Sequence, residues 1–279
     1  MYLEQILQEL KAAKDNLLKE LDRHDAIGSV NGLEKYAKLH AYYYGTKNEP
    51  GRNLAEVYGI SDVKKLVAEI RKDIENDDFT RLNYLDYFYI PSFNWFRSDS
   101  TTNYVTFKNV RVDLVFFNHY YRTGDKNYDT VHQGNQKSVG FQVHDASLIQ
   151  GAWAEWKDSA TINRTIASLE ATLGLTLKQV RILYVISGIS TVLETYKVLL
   201  PDEREISHPI MTSSESSRSS MWPMALYSIC PQYRFKQNDY WLFNQVYGDS
   251  NRAAYMGKDG VIKKELKTVV KGIPFIIMI

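Results

Sequence analysis

The sequence predicts an α+β protein, in which a helical N-terminal segment precedes a mixed α+β domain with mainly antiparallel strands. Up to residue 74, apolar residues recur at three- and four-residue steps, which is the period of an amphipathic helix. From Tyr84 onward the pattern changes to short alternating runs of aromatic and β-branched residues, which are typical of strands. We therefore predict a helical docking or oligomerisation domain over 1–78 and an α+β domain over 79–279.

Three helices are predicted in the first domain. Residues 2–23 form the first, and five of its leucines follow a spacing close to a heptad with Lys14 in the seam: Leu3, Leu7, Leu10, Leu17 and Leu21. About three heptads is the lower limit for a coiled coil, so this helix either docks or oligomerises, or it packs on its own chain. The second helix is predicted over 32–44. A third follows the Ser61-Asp62 cap, with one apolar face: Val63, Leu66, Val67, Ile70 and Ile74.

The second domain alternates strands with a few helices. Strand ends are expected on both sides of a proline bend at Pro91, because aromatic runs flank it. Further strands are predicted at Tyr104 and Thr106, Val110–Phe117, 138–143, 180–186 and 196–200. Helices are predicted over 149–155 and 161–173, polar loops over 121–135 and 207–220, and a short helix or strand over 222–228.

The end of the chain carries the strongest strand signals. Asp259-Gly260 is a two-residue hairpin signal, since glycine takes a positive φ without steric cost. Phe275–Ile279 is apolar throughout, so we predict a strand that is buried on both faces. If the last strand lies in the core, the other helices and strands must pack around it.

Composition excludes several classes of function. The net charge of +1 gives no electrostatic case for nucleic acid or an anionic membrane. The single cysteine, Cys230, rules out an intrachain disulfide, as expected for a protein that folds in a reducing cytoplasm. Neither a signal peptide nor an apolar run of membrane-spanning length is visible. The aromatic content of 13%, with 20 tyrosines, suits either an interface or a β-rich core.

Catalytic and metal sites are not predicted. The six histidines lack zinc-site spacing, although His144-Asp145 would join a metal site if a distant partner lay beside it. Asp202, Ser207 and His208 have the residue types of a triad, but no Gly-x-Ser-x-Gly elbow is present. Glu203 and Glu205 resemble a glycosidase pair only in being acidic. We predict no catalytic residue, no cofactor and no metal.

Several motifs of the second domain resemble one family. They are Tyr240-Trp241-Leu242, Asn251-x-Ala253-Ala254-Tyr255, Asp259-Gly260, and Gly272-Ile273-Pro274 followed by the terminal strand, preceded by Leu85–Ser92, Val139–Gln142, Ile162–Leu173 and Leu200–Glu203. In this order they resemble a C-terminal domain of unknown function that recurs in structural proteins of tailed bacteriophages and prophages, over about residues 84–279. That domain is similar to C-type-lectin-like folds. The family usually closes Gly-Val-Arg-Pro, and this chain lacks that arginine.

The resemblance implies a non-enzymatic virion structural protein, assembled in the bacterial host cytoplasm. It would be a capsid decoration or head-fibre protein that displays a lectin-like domain for attachment or capsid stabilisation. A tail or baseplate receptor-binding adhesin and a virion-associated glycan hydrolase are alternatives, and so is a cellular adhesin derived from a prophage. The expected partners are other virion proteins, further copies of the chain, and a host surface glycan or protein.

The candidate binding residues are aromatic and polar residues near the C-terminus. The resemblance places them in the segment that carries the variable binding face of lectin-like phage proteins: Tyr240, Trp241, Tyr247, Asn251, Arg252 and Tyr255. Exposed aromatic rings stack on sugars and anchor protein interfaces. The alternative is that Trp241 and Tyr255 fill the core. The tripeptides with which sugar-binding C-type lectins hold calcium are absent, so calcium-dependent sugar binding is not supported.

Overall fold

The computed structural model describes residues 51–76, 78–118, 137–186, 190–206, 224, 226–227, 238–246 and 249–279. Several predictions lie outside these residues. They are the helices over 2–23 and 32–44, the docking leucines Leu3, Leu7, Leu10, Leu17 and Leu21, and the loops over 121–135 and 207–220.

Within the described residues the chain is α+β, as predicted. The helices are α1 (Leu54–Tyr58), α2 (Val63–Glu75), α3 (Trp153–Lys157), α4 (Ser159–Leu173) and α5 (Glu203–Ile206). The strands are β1 (Tyr87–Phe96), β2 (Tyr104–Phe117), β3 (Val139–Val143), β4 (Gln150–Gly151), β5 (Val180–Ile186), β6 (Ser190–Tyr196), β7 (Val198–Leu199), β8 (Tyr240–Val246), β9 (Asp249–Met256), β10 (Ile262–Leu266), β11 (Lys271–Gly272) and β12 (Ile276–Met278).

The described strands form two five-stranded sheets and one hairpin. The first sheet has the order β1-β2-β3-β12-β7, and each of its neighbouring pairs is antiparallel. The second has the order β10-β9-β8-β11-β4, in which only β8 and β11 run parallel. Strands β5 and β6 pair with each other. Mainly antiparallel pairing is therefore confirmed for this part of the chain.

The terminal strand lies in the middle of the first sheet. Strand β12 pairs with β3 on one side and with β7 on the other, and every residue from Phe275 to Ile279 is buried. Ile279 and Val139 exchange backbone hydrogen bonds, with N–O distances of 3.1 and 3.2 Å. The prediction of a strand buried on both faces is confirmed.

Helix α2 has the predicted cap and the predicted apolar face. The Asp62 carboxylate accepts a hydrogen bond of 2.9 Å from the Lys65 N–H, which satisfies one of the unpaired donors of the first turn. The side chains of Leu66, Val67, Ile70 and Ile74 are at most 2% exposed.

The region before residue 78 shares its core with the sheets. Leu54 and the apolar face of α2 belong to the same cluster of buried side chains as β1 and β12. The backbone joins them too, since the Tyr87 N–H donates to the Arg52 carbonyl over 2.9 Å. The Arg52 guanidinium forms an ion pair of 2.7 Å with buried Asp86. The division at residue 78 stays a prediction, but residues 54–74 are part of the α+β core.

At Pro91, the alternate residues of β1 and β2 that face the core change from one set to the other. Before the proline, Phe88 and Ile90 point into the core, whereas after it Phe93 and Trp95 do so. Asn109 lies opposite Pro91 in the register and has a φ of 50°. Both strands therefore turn over together, and the predicted proline bend interrupts one continuous strand rather than separating two.

Helix α4 covers the outer edge of β1. The N–H groups of Asn94 and Phe96 donate to the hydroxyl oxygens of Ser168 and Thr165, over 2.9 and 3.0 Å. The Thr172 hydroxyl donates to the Ser92 carbonyl over 2.6 Å. Edge strands expose unpaired backbone groups, and here the helix supplies their partners.

Three local predictions are corrected. Residues 149–155 are not one helix, because Gln150 and Gly151 pair with Lys271 and Gly272, which are distant in sequence. The β9–β10 connection spans 257–261 rather than two residues: the Gly257 N–H donates to the Val261 carbonyl, and Gly260 takes a φ of 77°. The predicted strand over 196–200 is divided between the end of β6 and β7.

Candidate binding site

Two of the predicted surface residues belong to the core. Tyr240 and Trp241 are 0% exposed, so their prediction as surface binding residues is wrong. The reason is that both faces of β8 are covered, since the four consecutive residues from Tyr240 to Phe243 are all buried. The Trp241 indole donates a hydrogen bond of 3.1 Å to the Gly151 carbonyl, as a buried indole N–H requires.

Tyr255 is also buried, at 9% exposure, and the face of its ring is occupied. The Lys271 ammonium lies 3.7 Å from the ring centroid, and it also lies 3.5 Å from an oxygen of Asp239. Burial raises the pKa of the Tyr255 hydroxyl, and the Asp239 charge adds to this effect. The core alternative therefore holds for Trp241 and Tyr255, because the chain's own lysine occupies the cation–π position.

Asn251 and Arg252 are exposed near the start of β9, as predicted. The Arg252 guanidinium lies 3.5 Å from the Asp249 carboxylate, and the Asn251 N–H donates to the same side chain over 3.0 Å. Tyr247 lies outside the described residues. Because three of the six candidates are buried, the structure does not bring the predicted set together as a surface.

A different group of polar and aromatic side chains meets on the first sheet. We call it the His144 cluster, and it consists of Tyr87, Tyr89, Arg111, Asp113 and His144. The register places Tyr87 opposite Asp113 and Tyr89 opposite Arg111. His144 directly follows β3, and its N–H donates to the Arg111 carbonyl over 3.1 Å.

Asp113 is the centre of the cluster. Its side chain is 1% exposed, and its two oxygens accept from two different cationic or polar groups. Arg111 Nε donates to Oδ1 over 2.7 Å, and His144 Nδ1 lies 2.5 Å from Oδ2. A buried carboxylate is costly unless it is paired and hydrogen-bonded, so these contacts hold both outer side chains in place.

The outer members of the cluster remain accessible. The His144 side chain is 48% exposed and Tyr89 is 45% exposed. The Arg111 guanidinium lies 3.9 Å from the centroid of the Tyr87 ring, and the Tyr87 and Tyr89 rings meet edge to face with centroids 5.7 Å apart. The cluster therefore presents an aromatic ring beside oriented polar groups.

The contact with the buried carboxylate of Asp113 orients the His144 imidazole. Because an ionised carboxylate only accepts, His144 Nδ1 carries the hydrogen of this contact, and Nε2 has no hydrogen-bond partner among the described residues. The arrangement suits the binding of a polar ligand, with Tyr89 as the apolar surface and His144 Nε2 and Arg111 as polar contacts.

The sequence left open that His144 and Asp145 join a metal site with a distant partner, but Asp145 does not lie with His144 in the cluster. Asp145 instead accepts hydrogen bonds from the N–H and the hydroxyl of Ser147, over 2.7 and 2.6 Å. The distant partner is Asp113, and it is bonded to Arg111 as well. The described residues contain no group of three or more histidine, cysteine, aspartate or glutamate side chains that could hold a metal ion.

The sequence did carry a signal for this cluster. Arg111 and Asp113 are two charged residues, two positions apart, in a strand that is otherwise apolar from Val110 to Phe117. Residues two apart lie on one face of a strand, so the pair marks a polar position on a mainly buried sheet. The register that brings Tyr87, Tyr89 and His144 to it was not predictable.

The acidic residues near 203 are buried rather than displayed at the surface. Asp202, Glu203 and Glu205 are all 0% exposed. The Glu205 carboxylate accepts a hydrogen bond of 2.7 Å from the Asp202 N–H at the start of α5. Ser207 and His208, the other members of the triad considered from sequence, lie outside the described residues.

None of the described helices combines the length and the apolar character needed to cross a membrane. Comparisons with protein-family models, with curated proteins and with solved structures found no match to this chain.

Proposed function

We propose that this protein is a bacteriophage virion structural protein that binds a partner and does not catalyse a reaction. In this proposal it is a capsid decoration or head-fibre protein that displays a lectin-like α+β domain for attachment or capsid stabilisation. Its expected location is the virion, after assembly in the bacterial host cytoplasm. The support is the ordered resemblance over residues 84–279, together with the places that its segments occupy in the fold.

The observation that carries the proposal is that the resembling segments lie in packed helices and strands of the fold. Val139–Gln142 lies in β3, Ile162–Leu173 lies in α4, and Gly272–Ile279 leads into β12, which pairs with β3. Motifs that are weak singly are thus parts of one packing arrangement. The proposal treats these motifs together, as one ordered set.

The contacts of Asp113, the carboxylate at the centre of the His144 cluster, favour a binding role over hydrolysis of a glycan. Asp113 is buried, and both of its oxygens are engaged by Arg111 and His144. A glycosidase needs two carboxyl groups that face each other across a sugar. Asp113 is buried and bonded to Arg111 and His144, so it does not face a bound sugar. Its contacts instead hold the side chains of Arg111 and His144 in position.

The His144 cluster favours attachment as the activity of the displayed domain, and this also fits a tail or baseplate adhesin. Its proposed ligand is a host surface glycan or protein. Tyr89 would supply a ring for stacking, Arg111 would donate to hydroxyl or carboxylate oxygens, and His144 Nε2 would make a further polar contact. The ligand-contact surface proposed here is this cluster, not the segment around Tyr240 and Tyr255.

Quantitative mass spectrometry of purified particles tests the virion assignment. The protein is expected in particles at a fixed copy number that matches the symmetry of a head or a tail structure. Labelling with gold-conjugated antibody then distinguishes head from tail. Absence from purified particles, with abundant protein in the lysate, would overturn the assignment.

A deletion tests the docking role predicted for the N-terminal helix and its leucines Leu3, Leu7, Leu10, Leu17 and Leu21. It should stop at residue 50, because Leu54 and the apolar face of α2 are part of the core. The shortened chain is expected to stay out of particles. Normal incorporation of a folded shortened chain would show that docking lies elsewhere.

Binding to a glycan array or to whole host cells tests the cluster. Tyr89→Ala and His144→Ala are expected to weaken binding, while Leu266→Ala, which is 44% exposed on β10, should leave it unchanged. Release of free sugar by the wild-type protein would favour the hydrolase alternative. Equal binding by all three variants would remove the cluster from the proposal.

A further inference from the structure

Among the described residues, no strand pairs with the outer edge of β2 between Tyr104 and Lys108. On that side β3 pairs with β2 only from Val112 onward, and the last contact is from His144 N–H to the Arg111 carbonyl. The chain then turns away at Asp145, whose carbonyl accepts from the Leu148 N–H over 3.2 Å. Within the described part of the chain, no strand continues along this edge.

The orientation of the backbone shows which groups are left at this edge. In β1 the N–H groups of Asn94 and Phe96 point outward to α4, so the alternate residues of β1 face β2. The hydrogen bond from the Arg97 N–H to the Asn103 carbonyl, at 3.0 Å, has the same parity. It follows that Tyr104, Thr106 and Lys108 direct their N–H and C=O groups away from β1.

The side chains along this edge are exposed as well. Tyr104 is 43% exposed and Val105 is 38% exposed. Phe107 is partly buried, with its ring 5.9 Å from that of Phe93. An open edge with aromatic and β-branched residues is a template for pairing with another strand.

We propose that this edge pairs with the same edge of a second copy of the chain, antiparallel and about a twofold axis at Thr106. In that register Thr106 faces Thr106 of the second copy, and Tyr104 faces Lys108. All three outward-facing residues of each copy then exchange hydrogen bonds. Val105 faces Phe107, so the exposed apolar side chains of both copies meet on one face.

Charge and space are compatible with this register. Lysine on an edge strand normally discourages pairing, but Lys108 is the only charged residue from Tyr104 to Asn109 and it meets a tyrosine ring. The two lysines are on opposite sides of the axis. Asn103 of the second copy would lie opposite Asn109, which is short of Arg111, where the chain's own β3 connection begins.

The contact is small. A ribbon of about six residues from each copy buries well under the roughly 1,200 Å² of a stable specific interface. We therefore expect reversible association that other contacts in a larger assembly would strengthen. The inference is independent of the proposed function, since it rests only on the geometry of this edge.

Disulfide trapping tests the register. In a Cys230→Ser background, Thr106→Cys should form a disulfide-linked dimer under mild oxidation, because directly opposed residues of a hydrogen-bonded antiparallel pair have Cα atoms about 5.5 Å apart. Lys108→Cys is the matched control. Its two copies would be about 14 Å apart along the strands, so it should remain monomeric. Non-reducing gels over a concentration series give the readout.

The dimer band of Thr106→Cys should disappear when Thr106 remains cysteine and Tyr104 is replaced by proline, since proline lacks the outward N–H that the second copy would accept, while the hydrogen bonds between β1 and β2 stay in place. Circular dichroism establishes that each variant is folded. Absence of the Thr106→Cys dimer in folded protein would overturn the proposal. Equal cross-linking of Thr106→Cys and Lys108→Cys would also overturn it, because this indicates random collision.

Discussion

The Asn94 N–H donates to the hydroxyl oxygen of Ser168 over 2.9 Å, and this contact joins the edge of a sheet to the side of a helix. Thr165 and Thr172 make equivalent contacts three residues before and four residues after it. Residues at this spacing lie on one face of a helix. The hydroxyl groups of α4 thus take the place of a neighbouring strand along β1.

Loss of one of these hydroxyls should destabilise the fold. Thr165 is 0% exposed, so Thr165→Val keeps the shape and leaves the Phe96 N–H without its acceptor. We expect a loss of about 1–3 kcal/mol in the free energy of unfolding, the cost of an unsatisfied buried donor. Urea denaturation measures it, with the exposed Ala167→Val as a control on the same helix. A loss no larger than that of the control would contradict this role.

Truncation within the terminal strand should be costly. Ile277 is 0% exposed and pairs with β3 and β7, so Ile277→Ala is expected to cost about 2–5 kcal/mol. In thermal unfolding this corresponds to a decrease in Tm of about 2–4 °C for each kcal/mol in a chain of this size. The control is Val270→Ala, which is 58% exposed and should change stability little. Similar Tm values for both variants would mean that β12 is not part of the cooperative core.

Gly140 and Phe116 should show strong coupling. They are register partners in β3 and β2, and a Cβ added to Gly140 would lie 2.1 Å from the Phe116 ring. Gly140→Ala should therefore destabilise by about 1–3 kcal/mol through overpacking.

A double-mutant cycle tests this coupling. Phe116→Ala opens the space that the new methyl group needs, so the double variant should lose less than the sum of the single losses, by about 0.5–3 kcal/mol. Additive losses would contradict the steric explanation.

Lys178 should make stability depend on alkaline pH. Burial, together with the smaller effect of the Arg71 charge, lowers the pKa of its ammonium group from 10.5 to about 8. Between these pH values the unfolded chain binds more protons than the folded chain, so the free energy of unfolding rises from pH 8 to 10.5. Below pH 8 both states are protonated, and the cost of burying the charge applies in full.

Removal of this charge checks the prediction. Lys178→Met should be more stable than the wild type at neutral pH, and the difference should shrink as pH rises through the window. Other groups titrate equally in both proteins and cancel in the comparison. The exposed Lys65→Met is the control. A constant difference between wild type and Lys178→Met across this window would show that Lys178 does not cause the slope.

Elements with local signals were predictable from the sequence. Helix α2 follows from its Asp62 cap and apolar period, and α4 from its period and from Gly174, which ends it with a φ of 71°. These signals depend on neighbours within a few residues. The split of 149–155 into β4 and α3 was not predictable, because the partner of Gln150 is Gly272, far along the chain.

The candidate site was less predictable than the fold. The aromatic residues Tyr240, Trp241 and Tyr255 have the composition of a binding surface, but composition does not distinguish a surface from a core. Packing on both faces of β8 decides it, since the consecutive residues from Tyr240 to Phe243 are all buried. The contact between Asp113 and His144 depends likewise on register, which sets the residues that share a face.

The sequence by itself determined the α+β fold class and the burial of the last strand. An apolar run at Phe275–Ile279 has no stable place except between other strands, because each of its side chains must leave water. Only the tertiary structure decided which face of each strand is inside. Pro91 and Asn109 turn two strands over together, and this changes the buried set from Phe88 and Ile90 to Phe93 and Trp95. Alternation shows which residues of a strand share a face, but the packing of the strand with its partners decides which face is buried.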